Sequence, residues 1–257
     1  MKYYSDKNVT LYLEDTFEYL KKQKDETFDV IIADPPYFLS NGGVTNKAGK
    51  FVSVNKGNWD LTSLNNAEEF YSKMIMEFYR VLKPNGTIWI FGTLHNIYTV
   101  GYLLKKFDFK ILNNITWQKS NPAPNLSRKM FTHSTETILW AKKNNKQRYF
   151  FNYDSMRTEN NHKQMKDVWT TSVINKSERR FGKHPTQKPL ALLLRIIKAS
   201  VDKDMVILDP FIGSGTTAVA ADILNRKIIG IDNFKEYLDI AKKRVNDYKN
   251  ERIGKIK

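Results

Sequence analysis

Hydrophobic residues in this chain occur as short continuous runs that alternate with segments of helical periodicity. Three apolar, largely β-branched runs, each followed at once by an aspartate, lie at 28–34, 205–209 and 227–232. Runs of this length without polar alternation are typical of parallel strands that are buried on both faces. The pattern therefore predicts an α/β fold with carboxylates at the carboxyl ends of its central strands, the edge where such folds bind ligands.

The intervening segments have the spacing of amphipathic helices. Phe70, Met74, Phe78 and Leu82 lie four residues apart within 67–82, which is typical of a helix packed on a core. Further helices are predicted at 16–20, 94–106, 190–200, 216–225 and 234–248, and further strands at 9–13 and 87–91.

After residue 109 the pattern changes to strand-like runs joined by loops, which predicts antiparallel strands at 109–119, 135–141 and 147–151. The glycine-bearing strand–helix–strand unit comes last in the chain, and the strand that normally follows such a unit is found at 9–13. These features predict a circularly permuted Rossmann-like fold, with a mostly parallel sheet and an antiparallel hairpin at one edge. Rejoined in this way, the strands that end in Asp34 and Asp209 are neighbours at the topological switch point.

Composition indicates an intracellular protein that binds a polyanion. The chain has 257 residues, 42 Lys and Arg against 27 Asp and Glu, and a net charge of +15. Residues 142–190 hold twelve basic and four acidic residues, a local net charge of +8, interleaved with aromatic residues. This balance favours nucleic acid as the partner. We expect a single domain with a mobile loop at 38–62 and a basic target-recognition insertion at about 142–185.

Several classes of chemistry and location are disfavoured. The chain has no cysteine, which excludes disulfides, a thiolate nucleophile and cysteine-ligated zinc. No two histidines have metal-ligand spacing, so no metal is expected. The N-terminus lacks an apolar signal core and no apolar run is long enough to span a membrane. We therefore predict a cytoplasmic protein without a membrane partner, while a homodimer stays open.

The residues Asp34, Pro35, Pro36 and Tyr37 carry the first candidate chemistry. Two prolines end the strand and fix the backbone, so that the Asp34 carboxylate and the Pro35 carbonyl can face one point. Two acceptors suit the two hydrogens of an exocyclic amine, and the Tyr37 ring offers a face on which a planar base can stack. For the tetrapeptide alone, a turn with an incidental tyrosine is an equal alternative.

The second motif is a glycine turn between a buried strand and a helix. It consists of Asp209, Pro210, Phe211, Ile212, Gly213, Ser214, Gly215, Thr216 and Thr217. Glycines let a backbone approach a ligand closely, and the following helix N-terminus offers N–H groups to an anion. The lysine of a phosphate-binding P-loop is missing, which disfavours an ATPase or GTPase. Asp232 is placed to accept from ribose hydroxyls or to cap a helix, whereas Asp15, at the same sheet edge as Asp34, is placed to contact a polar ligand or to cap a helix.

Taken together, these two motifs in this order resemble the β class of S-adenosylmethionine-dependent DNA amino-methyltransferases. The resemblance extends to the second adenine methyltransferase of GATC-recognising restriction systems, the member able to modify single-stranded DNA. The segments that carry this closer resemblance are 38–43, 94–98, 114–119, 121–126, 132–140, 163–169 and 182–189. Glu14 precedes Asp15 where the class often has glycine, so Asp15 fits the pattern less well.

The resemblance implies a methyltransferase that uses S-adenosylmethionine as methyl donor, adenine N6 as target and GATC as site. It implies that Asp34, Pro35, Pro36 and Tyr37 hold the target amine and its base. The implied cofactor-binding residues are Asp15, Lys188, Pro189, Asp209, Pro210, Phe211, Gly213, Ser214, Gly215, Thr216 and Asp232. Two alternatives stay open: an enzyme that methylates cytosine N4 or an amine in RNA, and a catalytically inactive subunit that binds nucleic acid.

Overall fold

A computed structural model of the chain describes residues 1–38, 44–47, 50–53, 64–174, 177–182 and 184–254. Nine strands form one sheet in the order β1-β2-β11-β10-β3-β6-β8-β7-β9. Their bounds are β1 Lys2–Ser5, β2 Val9–Leu13, β3 Phe28–Ala33, β6 Leu82–Gly92, β7 Phe109–Lys119, β8 Thr135–Lys143, β9 Val168–Thr171, β10 Val206–Asp209 and β11 Lys227–Asp232. Two further strands, β4 Val44–Lys47 and β5 Lys50–Ser53, pair with each other as an antiparallel ribbon.

Helices cover both faces of the sheet. The helices are α1 Thr16–Lys21, α2 Leu64–Val81, α3 Ile97–Lys106, α4 Tyr153–Glu159, α5 Leu190–Ser200, α6 Thr216–Ile223 and α7 Lys235–Gly254. Buried residues of α1, α2 and α3 form one apolar core, and those of α5, α6 and α7 form the other. Along β3, Phe28, Ile31 and Ala33 face the first core whereas Val30 and Ile32 face the second. The strand is buried on both faces, as its continuous apolar run predicts.

The central strand order confirms the permuted topology. β10 pairs in parallel with β3 on one side and with β11 on the other. β11 in turn pairs in parallel with β2, through Ile228↔Val9 to Asp232↔Leu13. The N-terminal strand therefore takes the position that would otherwise follow β11. As a result, the aspartates that end β3 and β10 lie at one edge of the sheet, on neighbouring strands.

At the β6 side the sheet departs from the predicted plan. β8 pairs antiparallel with both β6 and β7, which confirms the predicted hairpin. The hairpin does not form the edge, because β9 pairs in parallel with β7 outside it. Residues 147–151 were predicted as a strand, and this prediction is wrong. Instead Tyr149 and Phe151 pack on Trp140, each with ring centroids 5.4 Å apart, so this segment covers a tryptophan cluster rather than extending the ladder.

Several smaller features differ from the sequence-based expectation. Residues 83–86, expected as a turn after α2, belong to β6, which begins at Leu82. β1, α4 and β9 have no counterpart among the predicted elements. Of the loop predicted at 38–62, the structure describes Phe38 and the backbone of the β4–β5 ribbon, and the rest lies outside the described residues. The other helices and strands agree with the predictions to within a few residues.

Candidate active site

The first candidate motif follows β3 directly, and its side chains bond to one another. The Tyr37 hydroxyl donates to Asp34 Oδ1 at 2.5 Å. The Tyr71 hydroxyl, from α2, donates to the Pro36 carbonyl at 2.6 Å. Tyr37 is buried, whereas Asp34 is partly accessible from the adjoining cavity. Hydrogen bonds from the hydroxyl groups of Tyr37 and Tyr71 thus fix the turn.

Lys188 reaches the same carboxylate from the segment before α5. Its Nζ donates to Asp34 Oδ2 at 2.6 Å and to the Tyr37 hydroxyl at 3.1 Å. Glu136, at the start of β8, lies 3.8 Å from this ammonium through Oε2, and its Oε1 accepts from Lys119 at 2.6 Å. The sheet edge therefore holds two carboxylates and two ammonium groups in an alternating row.

The carboxylates of this row shift the pKa values of Lys188 and of the adjacent Tyr37. Burial lowers the pKa of Lys188, but the carboxylates of Asp34 and Glu136 outweigh burial and raise the pKa above its ordinary value. Burial, with the negative charges of Asp34 and Glu136, raises the pKa of the Tyr37 phenol well above its usual range. Lys188 is therefore cationic and Tyr37 is neutral and able to donate at physiological pH.

The glycine turn follows β10 on the neighbouring strand. Gly213 and Gly215 have φ values of 47° and 76°, a region that suits glycine. Gly215 is the N-cap of α6, and a Cβ built on it would lie 2.5 Å from the Cβ of Ala241 in α7. The buried Arg244 supports the turn, since its Nη1 donates to the Ser214 carbonyl at 2.7 Å and to the Thr216 hydroxyl at 2.9 Å.

Asp209 at the end of β10 is buried, Asp232 at the end of β11 is half-buried, and both have raised pKa values. Burial raises the pKa of Asp209 to about 7, although bonds from Thr217 and from the Phe211 N–H oppose the shift. Burial raises the pKa of Asp232 to about 6, although Oδ1 accepts from the Phe234 N–H and Oδ2 from the Gly213 N–H. Desolvated carboxylates of this kind gain from a polar or cationic ligand that replaces lost water.

A cavity of about 300 Å³ connects the two motifs. From the first motif it is lined by Asp34, Pro35, Pro36 and Tyr37. From the cofactor-binding residues that the sequence suggests, it is lined by Asp15, Pro210, Phe211, Gly213 and Asp232. A smaller recess beside it is lined by Asp209, Ser214, Thr216 and Lys188, and Asp34 lines both spaces. The two motifs, 175 residues apart in sequence, thus face one continuous site.

Four of the suggested cofactor residues have other contacts in the fold. Asp15 caps α1, where its Oδ1 accepts from the N–H groups of Phe17 and Glu18, while it also lines the cavity. Lys188 bonds to Asp34, the candidate amine acceptor. Pro189 is the N-cap residue of α5, and Gly215 serves the backbone of the turn.

Four further residues belong to this site although no sequence pattern assigned them a role: Lys119, Glu136, His184 and Arg244. His184 lines both spaces, and its ring meets Tyr237 edge-on with centroids 4.3 Å apart. Burial, with the charges of Lys188 and Arg244, lowers the pKa of His184 to about 4. The available signal was the resemblance itself, because His184, Glu136 and Lys119 lie in the segments 182–189, 132–140 and 114–119 that carry it.

Comparison with solved structures places this architecture in a known class. A crystal structure described as an M1.HpyAVI–SAM complex matches with a TM-score of 0.70 and 30% identity, covering 93% of this chain and 99% of that one. The PvuII cytosine-N4-specific DNA methyltransferase matches with a TM-score of 0.72 at 16% identity, which shows the fold alone. The fold is therefore the α/β fold of methyltransferases.

Sequence comparison narrows this class to one family. Residues 28–243 match the model of the N6/N4 methyltransferase family, described as DNA methylase. The type II methyltransferases M2.LlaDCHI of Lactococcus lactis subsp. cremoris and M2.DpnII of Streptococcus pneumoniae are each 59% identical to this chain, over 95% of it and 91% of their own length. The chain belongs to the N6/N4 DNA methylase family.

Within the part of the chain that the structure describes, no helix is both long enough and apolar enough to cross a membrane.

Proposed function

We propose that this chain is a type II DNA methyltransferase that transfers the methyl group of S-adenosylmethionine to N6 of adenine. We further propose GATC as its site, single-stranded DNA among its substrates, and a role in a restriction–modification system. The observation that carries the proposal is the shared cavity, in which the Asp34 carboxylate faces the glycine turn across neighbouring strands. The 59% identity to M2.LlaDCHI and M2.DpnII supports the assignment to type II systems.

The residues around the cavity fit a nucleoside sulfonium. The glycine turn leaves room for a ligand to approach the backbone, and Asp232 and Asp15 supply acceptors at the mouth. The buried Asp209 lines the adjoining recess, where a cationic group would lower its raised pKa and keep the carboxylate ionised. S-adenosylmethionine has both a nucleoside and positive charges, and the related M1.HpyAVI structure is titled as a SAM complex.

Direct displacement is the chemistry that this arrangement supports. An aromatic exocyclic amine is a poor nucleophile, so its lone pair must be turned toward the methyl carbon. Asp34 and the Pro35 carbonyl accept the two N–H bonds of the amine and so orient it, while Tyr37 supports the extruded base. The amine attacks the methyl carbon as the bond from that carbon to sulfur breaks, which releases S-adenosylhomocysteine, and the methylated amine then loses one proton to Asp34. No covalent enzyme intermediate is needed, and the absence of cysteine is consistent with this route.

The experiment that tests this function uses the purified chain with tritiated S-adenosylmethionine and matched oligonucleotides with and without GATC, in single-stranded and duplex form. Mass spectrometry of the digested nucleosides then identifies the product. N6-methyladenine confined to GATC is expected. N4-methylcytosine, or label incorporated into RNA alone, would assign the chain to the alternative acceptor, and binding of cofactor without transfer would assign it to an inactive subunit.

Asp34→Ala is the variant that tests the assigned acceptor. We expect it to fold and to bind S-adenosylmethionine like the original chain, yet to lose methyl transfer by at least about 100-fold, since oriented acceptors of this kind contribute that much or more. Single-turnover transfer measures the loss, and calorimetry measures cofactor binding. Retained transfer in this variant would show that Asp34 is not the acceptor.

We propose a second copy of the chain as a further partner, in a homodimer. Supporting a homodimer, Tyr98 and Tyr102 of α3 project from the surface with 78% and 61% of their area exposed. Sedimentation velocity of the chain and of Tyr98→Lys tests this, and a monomer at micromolar concentration would contradict it. A cytoplasmic location follows from the proposed DNA substrate.

A further inference from the structure

Four charged side chains form a partly buried row at the carboxyl edge of the sheet. In order, they are Asp34 directly after β3, Lys188 just before α5, Glu136 in β8 and Lys119 at the end of β7. Lys188 Nζ lies 2.6 Å from Asp34 Oδ2 and 3.8 Å from Glu136 Oε2. Its side chain is 9% exposed, and that of Glu136 is 14% exposed. Solvent therefore screens these charges weakly.

In this arrangement both oxygens of Asp34 are engaged, Oδ1 by the Tyr37 hydroxyl and Oδ2 by Lys188. A substrate amine that is to donate to Asp34 must displace one of them. Positive charge also develops on the amine as it takes the methyl group, and an ammonium 2.6 Å from the carboxylate would offset the attraction that stabilises this charge. Lys188 therefore has to leave Asp34 before transfer.

Glu136 is the group that can receive it. Oε2 faces the lysine, while Lys119 holds Oε1 at 2.6 Å and thereby fixes the orientation of the carboxylate. Glu136 is paired with Trp117 of β7, and β8 is also paired with β6 from the next residue, Thr137, onward, which fixes the position of Glu136. A movement of about one ångström would complete the second ion pair, since close contact requires about 2.8 Å.

We infer that Lys188 is a positioning residue: its ammonium occupies Asp34 Oδ2 before the substrate amine binds, and it moves to Glu136 when the amine donates to Asp34. Glu136 is the second positioning residue, because its carboxylate receives the Lys188 ammonium in this exchange. The inference rests on the proposed function, because it assumes an amine as the incoming group. It differs from the role in cofactor binding that the sequence suggests for Lys188.

A double-mutant cycle tests the exchange. Lys188→Met removes the cation while keeping most of the side-chain volume, Glu136→Gln removes the receiving charge, and the third variant combines both. Single-turnover methyl transfer to a GATC oligonucleotide gives the rate constant, and calorimetry gives the dissociation constant for S-adenosylmethionine. Lys198→Met is the matched control, because Lys198 forms an ion pair with Glu159 away from the site.

We expect Glu136→Gln to lower the rate constant by about 10- to 100-fold, because the ammonium then stays on Asp34, whereas Lys188→Met should transfer at or above the original rate. Cofactor affinity should stay within about threefold of the original chain in both variants. Because Glu136 acts through Lys188, the double variant should be no slower than Lys188→Met alone. The Lys198→Met control should transfer at the original rate.

Three outcomes would overturn the inference while the proposed function stands. They are transfer at the original rate by Glu136→Gln, slowed transfer by Lys188→Met or by the double variant, and a loss of cofactor affinity equal to the loss of rate. If Lys188→Met does not fold, as circular dichroism would show, the isosteric Glu136→Gln decides alone, and its transfer at the original rate would contradict the exchange. An original chain that binds cofactor but transfers nothing overturns both proposals together.

Discussion

At the residue scale, the site is a set of carboxylates whose surroundings differ. Asp34 bonds to an ammonium and a phenol, whereas Asp209 is buried against the glycine turn with its pKa raised to about 7. Asp34 is thereby held by hydrogen bonds to both of its oxygens, whereas Asp209 is a desolvated group that a ligand can satisfy. The two aspartates thus have different roles because the ends of their neighbouring strands place them in different environments.

The raised pKa of Asp209 predicts a particular dependence of stability on pH. Since the folded-state pKa lies above the ordinary value of 3.8, the folded chain binds this proton more tightly than the unfolded chain. Its contribution to stability is complete below about pH 4 and is lost as the pH rises through 7. Relative to the original chain, Asp209→Asn should therefore gain stability between pH 5 and 8, by up to about 4 kcal/mol at roughly 1.4 kcal/mol per pKa unit.

Urea unfolding of the cofactor-free chain and of this variant at several pH values measures the difference. The buried His184, with its pKa lowered to about 4, gives the opposite slope, but it is present in both proteins and cancels in the comparison. A difference that does not change with pH would contradict the assigned burial of Asp209.

At the scale of single elements, the glycine turn depends on close packing between α6 and α7. Gly215 caps α6 in a left-handed conformation, directly against Ala241 of α7. Arg244, one turn further along α7, bonds the backbone and hydroxyl groups of the same turn. The C-terminal helix therefore helps to build the proposed cofactor site although it carries none of its recognised motif.

Gly215→Ala should destabilise the fold by about 1 to 3 kcal/mol, because a Cβ is strained at this φ and meets Ala241. Gly101→Ala provides the matched control. Gly101 lies inside α3, where a Cβ would be 3.5 Å from Leu139, an ordinary contact. This second change should be neutral or stabilise by up to about 1 kcal/mol. Equal effects of the two substitutions on urea unfolding would show that the turn is not as tight as described.

At the scale of the whole molecule, the connection between β7 and β8 brings exposed charge and an exposed aromatic ring to the edge that holds the site. The β7–β8 connection, residues 120–134, projects from this edge and carries Arg128 and Lys129, both exposed. Phe131 beside them is 97% exposed, which suits stacking on an unpaired base. With a net charge of +15, the chain has the electrostatics of a nucleic-acid-binding protein.

Replacing Arg128 and Lys129 together by glutamine should reduce the salt dependence of DNA binding. If both contact phosphates, the slope of log affinity against log salt should become shallower by about 1.4 on single strands and about 1.8 on duplexes. Fluorescence anisotropy at several salt concentrations measures the slope. Lys105 and Lys106, at the far end of α3, form the control pair and should leave the slope nearly unchanged. A matching change from the control pair would place the DNA elsewhere.

Much of this architecture can be predicted from local sequence patterns. Buried parallel strands require continuous apolar runs, and each run here stops at an aspartate followed by proline or a polar turn, so the strands and the acids at their ends could be predicted. The permuted order also follows, because the sequence of strand and helix patterns limits which strands can be neighbours. The sequence alone therefore predicts that the two motifs share one site.

Other features arise from contacts between distant segments. Nothing near Lys188 or Glu136 indicates that they meet at Asp34, more than 100 residues away from either in sequence, because an ion pair needs no local periodicity. Likewise, residues 147–151 have strand-like composition, yet their aromatic rings gain more by covering Trp140 than by pairing at an edge. Local patterns fix what a segment can become, whereas the choice among its partners depends on the surfaces that the rest of the fold leaves uncovered.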